Sequence, residues 1–95
     1  MISPENYELI GFRPSKNRNK KYDAILKDLS SSKLKYVPFG QVGYFQYKDD
    51  TPLGLYAAYN HYDPARRLDY YKRHFKDIYN IFSPGWFSWK YLWGG

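Results

Sequence analysis

The chain has 95 residues, 22% of them aromatic, no cysteine and a formal net charge of +6 at pH 7. That length makes one domain with a modest core, and the missing cysteines exclude disulfides and thiolate metal sites and suit a reducing compartment. The apolar runs fall far short of the roughly 20 residues a membrane-spanning helix needs, so no span is expected, and the positive balance favours nucleic acid, an anionic surface or an acidic protein as partner.

The first stretch, MISPENYELIGF, is broken by Pro4, Glu5, Asn6 and Glu8 and has no signal-peptide hydrophobic region. Its scattered apolar residues suit an extended arm that clips onto the body. RPSKNRNKK follows at 13–21, with Arg13, Lys16, Arg18, Lys20 and Lys21, no acid and no hydrophobe. Such a segment reads as a loop or mobile linker that buries nothing, either a solvated connector or a basic arm for phosphates or an acidic surface. Residues 1–21 are therefore expected as an N-terminal arm and 22–95 as a single small domain.

KYDAILKDL fits two patterns. Tyr22, Ile25, Leu26 and Leu29 recur at helical spacing, whereas Tyr22, Ala24 and Leu26 alternate as in a strand. The Ser-rich break at 30–32 and the strand-like LKYVPFG favour a hairpin. Gly40 and Gly43 bracket a turn, YFQYKDD is rich in β-formers, and DDTPLG is turn chemistry. LYAAYNHY suits a short helix or a strand equally well.

Asp63 before Pro64 is a helix start, a capping carboxylate followed by proline at the first helical position. Leu68, Tyr71, Phe75, Ile78, Tyr79 and Phe82 then recur every three or four residues, so the spacing predicts a helix over 64–79 with an apolar stripe. Asp69 and Arg73 are spaced to pair weakly. Ser83 and Pro84 repeat the start signal and predict a second helix over 84–93. Its Trp86, Trp89 and Trp93 share one face. These tryptophans suit core, a base-stacking platform or a plug for a partner. Large aliphatic residues are few, so the core reading leads: the tryptophan face is the lid over the hairpin and the first helix. Phe87 and Tyr91, on another side, become candidate partner contacts. The expected fold is α+β, a small β-hairpin or sheet packed by these two helices.

No catalytic signature emerges. His61, Asp63 and His74 lack the tight spacing of a zinc site. Asp49, Asp50 and His61 have no activated nucleophile, phosphate-cradling loop or cofactor fingerprint beside them. Neither an enzyme nor a metal or other cofactor is expected. The first helix is the stronger signal. Arg66, Arg67 and Arg73 lie among Tyr62, Tyr70 and Tyr71, a mixture suited to pairing phosphates and stacking bases, although it also fits a solvated helix face, and no established nucleic-acid motif accompanies it.

KYVPFGQVGY, YKDDT, DPARRLDYYKRH and SPGWFSWKYLW occur in that order. The ordered set resembles a largely uncharacterised family of short basic proteins encoded by large DNA viruses of eukaryotes and related mobile elements. The matching positions are Phe39, Gly40, Gly43, Tyr44, Asp63, Arg66, Arg67, Tyr70 or Tyr71, Arg73, His74, Leu92 and Trp93, over roughly residues 20–93. The resemblance implies a small α+β domain with a strand at KYDAIL, a viral origin and a place in or near the particle. It supplies no catalytic residues. The function expected from it, together with the aromatic surplus and the basic segment, is a non-enzymatic virion structural protein, a minor capsid or internal component that binds larger capsid subunits. A DNA-binding protein that packages viral nucleic acid is the alternative. The location expected is the virion and, before assembly, the host cytoplasm or nucleus.

Overall fold

The computed structural model describes residues 2–95. Three antiparallel strands, β1 (Tyr7–Pro14), β2 (Lys20–Asp28) and β3 (Leu34–Gln41), form a meander in the order β1-β2-β3. Two helices follow, α1 (Pro64–His74) and α2 (Pro84–Leu92). The α+β expectation holds, and the hairpin expected from KYDAILKDL and LKYVPFG is β2 and β3. Its turn is closed by Asp28, whose carboxylate accepts from the Ser30 amide and hydroxyl and from the Ser31 amide.

The first residues do clip onto the body in extended form, but as an integral strand, so the expected boundary between 21 and 22 is corrected. Residues 7–14 pair with β2 along its length, Phe12 opposite Ala24 and Arg13 opposite Asp23, with one bulge between Leu9 and Gly11. The basic stretch 13–21 is a hairpin rather than a linker. It ends β1, turns through Ser15–Asn19 and starts β2, with Lys20 N–H donating to Asn17 O at 3.0 Å. A basic composition did not prevent strand formation, because Arg13 is neutralised by Asp23 at 3.0 Å and the Lys21 amine finds buried acceptors.

The core lies on one face of the sheet, where Tyr22, Ala24 and Leu26 of β2 alternate inward beside Val37 and Phe39 of β3. Phe87 and Leu92 of α2 close it from above. Aromatic packing does most of the filling. Phe87 stacks on Phe39 at 5.4 Å between ring centroids and on Phe82 at 5.8 Å, while Phe12 meets Tyr91 edge-on at 4.7 Å.

Both helix starts form as expected. Asp63 accepts from the Ala65 amide at 2.9 Å, and Ser83 accepts from the Trp86 amide at 3.1 Å. The first helix stops at His74, short of residue 79. The His74 carbonyl accepts from both Asp77 and Ile78, which tightens the chain into turns and carries Ile78 inward. The predicted apolar stripe is half uncovered: Leu68, Phe75 and Tyr79 are exposed, Tyr71 and Phe82 are half-buried, only Ile78 is buried, and no residue of α1 is buried. Arg73 also misses the Asp69 carboxylate, its Nε pointing at the Asp69 carbonyl at 3.4 Å. YFQYKDD forms no strand. Gln46 makes only an isolated bridge to Asn60, and LYAAYNHY contains a single 3-10 turn at Ala57–Tyr59.

The tryptophan lid is corrected too. Phe87, Ser88 and Leu92 are the buried residues of α2, whereas Trp86, Trp89 and Trp93 are half-buried. Two of them cement the helices to each other. The Tyr70 ring lies parallel to Trp93 at 4.2 Å and to Trp89 at 6.3 Å. One helical step is about 100°, so turning Phe87 onto the sheet swings Trp89 and Trp93 toward α1, while Trp86 packs on Phe82 and Tyr91 and, like Trp93, borders the core. Among the described residues no helix is long and apolar enough to cross a membrane.

Candidate functional site

A cleft of about 640 Å³ opens between the sheet and α1. One wall is the start of β2 and the end of β3, with Lys20 and Gln41. A second is the loop 44–46. The third is α1, whose Arg66, Asp69, Tyr70 and Arg73 recur at spacings of three and four and so share one side of the helix, with Asp77 following in the turn beyond its end. Phe39, Ser88 and Leu92 lie at its base. Gly40 belongs there for a steric reason. Its φ is +77°, and a Cβ at that position would lie 2.7 Å from Leu92 Cδ1.

The loop wall is held by a buried polar network. Lys21 Nζ donates to the Tyr44 carbonyl at 2.7 Å and to Gln46 Oε1 at 2.5 Å. Burial pushes this amine down to about 8, with the Asp49 charge acting in the opposite direction. Gln46 Nε2 donates in turn to the Tyr56 carbonyl and to Asn60 Oδ1, both at 2.7 Å. Next door, Tyr22 donates to Asp49 at 2.5 Å, and the Tyr22 hydroxyl is pushed up to about 12 by burial and by that bond. Asp49 also accepts from the Thr51 hydroxyl and from the Thr51 and Tyr56 amides. The turn expected at 49–54 exists, but its aspartate is a buried hub. Two consecutive residues of β2 thus pin residues 44–60 against the sheet.

That anchoring presents two rings to solvent. Tyr44 is 65% exposed and Phe45 is 51% exposed. Phe45 leans edge-on against Tyr59 at 5.4 Å, whereas no other ring packs on Tyr44 among the described residues.

The basic residues singled out in the sequence divide into two groups. Lys20, Arg66 and Arg73 line the cleft. Lys16 and Arg18 are exposed on the adjoining turn, which is fixed beside the mouth because Val42 N–H donates to Asn19 O at 3.1 Å. Among the described residues the ion pairs are Arg13–Asp23 and Lys48–Asp50, so none of these five cations is paired with a carboxylate. The second group is engaged internally. Arg13 is held by Asp23 and lies 3.6 Å from the Tyr36 ring centroid, and Lys21 is buried. Arg67 clamps the end of α2, donating from Nε to Trp93 O at 2.7 Å and from the guanidinium to Gly94 O at 3.1 Å, with its charge 4.6 Å over Trp89.

The two aromatic candidates are corrected. Phe87 is fully buried between Phe39 and Phe82, and Tyr91 is half-buried against Phe12. Sequence reading missed Tyr44, Phe45, Gln46 and Asp49 as parts of one site. The signal for them was faint: a polar residue between strand-forming aromatics and a turn-type aspartate, both ordinary on solvated loops.

His61 accepts through Nδ1 from the Asp63 amide at 2.9 Å and packs on Trp93. Burial and the Arg66 charge lower its proton affinity, with Asp63 opposing. Among the described residues no three histidine, aspartate or glutamate side chains gather as a metal site would need. Comparison of the chain with protein-family models, curated proteins and solved structures gives no match.

Proposed function

We propose that the protein is a non-enzymatic binding protein whose cleft grips nucleic acid. The observation that carries this reading is the convergence of two basic segments, remote in sequence, on one concave surface: Lys20 and its turn on one side, Arg66 and Arg73 on the other. Phosphates supply the charge complement, and the exposed rings of Tyr44 and Phe45 suit bases. In the viral setting that the sequence resemblance implies, such a protein organises or packages the genome inside the particle.

The test is a salt titration. Binding should weaken linearly in log–log form, and the R66A/R73A double variant should flatten the slope by about 1.5, because each lost phosphate contact removes about 0.7–0.9. Neither arginine is buried, so the variant should keep its melting temperature. A wild-type slope near zero would sink the reading.

A second reading, a minor capsid or other virion component bridging larger subunits, is favoured by a different observation. Leu53, Leu55, Phe75, Tyr79 and Ile81 are exposed on the two long connections, an amount of uncovered apolar surface suited to a protein interface. A flat salt response would transfer the weight to it.

A further inference from the structure

We infer that the cleft takes a single strand, with one base stacked on Tyr44 and the flanking phosphates on Lys20, Arg66 and Arg73. This rests on the nucleic-acid reading and narrows it. Four observations support it. First, the basic side of α1 lines a concavity and faces the loop 44–46. A helix that reads duplex DNA must instead stand proud enough to enter a major groove about 12 Å wide. Second, the cleft volume of about 640 Å³ falls in the roughly 300–1,000 Å³ range of small-ligand sites. It admits a splayed nucleotide but no duplex.

Third, Tyr44 is preorganised for stacking. Its carbonyl is fixed by the buried Lys21 amine at 2.7 Å while its ring stays 65% exposed. An aromatic ring held by its backbone and left bare on its face loses little freedom when a base covers it. Every base has a π-face, so such a contact tolerates sequence, and a rim of unpaired cations tracks the backbone. Fourth, Lys16 and Arg18 extend the positive surface from the cleft mouth along the β1–β2 turn, as a strand longer than one nucleotide requires.

The experiment uses the full chain and a fluorescein-labelled mixed-sequence 12-mer, as a single strand and annealed to its complement, with poly-L-glutamate as competitor. The single strand should bind about tenfold tighter than the duplex at equal salt. Y44A should lose about tenfold in single-strand affinity with an unchanged salt slope, and Y44F should retain it. Tyr44 contributes its carbonyl to the network, which alanine keeps, so an unchanged melting temperature is expected and is checked by circular dichroism. As a readout independent of affinity, a 12-mer carrying 5-bromodeoxyuridine should photocrosslink to the peptide containing Tyr44 and Phe45. Equal duplex affinity, an unaffected Y44A variant or crosslinks only elsewhere would overturn the single-strand inference and leave nucleic-acid binding standing. No binding to either oligonucleotide would overturn both. Displacement by poly-L-glutamate at matched charge would overturn both in favour of an acidic protein partner.

Discussion

Lys21 and Tyr22 are adjacent on β2 and titrate in opposite ways, which gives the protein a distinctive alkaline behaviour. Burial lowers Lys21 from 10.5 to about 8. Between those values the unfolded chain holds a proton that the folded chain has released, so stability rises with pH. Burial and the Asp49 bond raise Tyr22 from 10.0 to about 12. Between those values the folded chain holds the extra proton, and stability falls with pH. The expected result is a urea midpoint that climbs from pH 8 to a maximum near pH 10 and then drops. In K21M the climb should vanish while the drop above pH 10 persists. The variant should also be weaker at every pH, because Gln46 Oε1 and the Tyr44 carbonyl lose their donor. On the acid side His61 acts. Its folded form resists protonation, so stability should begin to fall as the pH drops below about 6.5, the ordinary histidine value.

At the scale of elements, α2 and α1 are held by different means. Phe87 sits in the core, and F87A should cost about 3–5 kcal/mol, enough to unfold so small a domain in thermal melts. Trp89 faces Tyr70, Tyr71 and Arg67 of α1. W89A should leave the sheet folded and loosen α1, seen as faster amide exchange in 64–74 with protection of β2 retained. Both helix starts were legible, because aspartate or serine before proline is a local signal read from two residues. The hairpin turn was legible for the same reason. The face of each helix that becomes core was not. Periodicity tells which residues would share a side if the helix ran on, as Leu68, Phe75 and Tyr79 would, but it is silent on what lies opposite and on the stop at His74. Trp86, Trp89 and Trp93 misled similarly: their size suggested the deepest positions, whereas the smaller Phe87 and Leu92 fit against a sheet already filled by Tyr22 and Phe39. A helix with no buried residue, held by ring stacking and the Arg67 clamp, is the element most able to shift, and it carries Arg66 and Arg73 on the cleft wall.

Across the whole molecule, β2 is the organiser, and β1 makes it a central strand. Composition concealed this, since a run of five cations reads as solvated unless one sees that Arg13 meets Asp23 across the ladder and that the Lys21 amine ends on a carbonyl and an amide. Tyr7, Leu9 and Phe12 pack against the core from β1, and Ser15 and Arg13 complete the shell around the buried Asp23 carboxylate. Deleting residues 2–14 would strip that packing, remove the Arg13 guanidinium from Asp23 and turn β2 into an edge. Three apolar anchors and the whole β1–β2 ladder go from an already modest core, so the truncated chain should show no cooperative melt. A truncation that melted normally would return the segment to the status of a detachable arm. The turn between the two strands behaves differently, because Lys16 and Arg18 are exposed and unpaired. K16S/R18S should keep the melting temperature within a degree or two, as surface substitutions do, while weakening nucleic-acid binding and its salt dependence together. On the nucleic-acid proposal, stability and binding therefore separate within the same hairpin, at side chains only three residues apart in sequence.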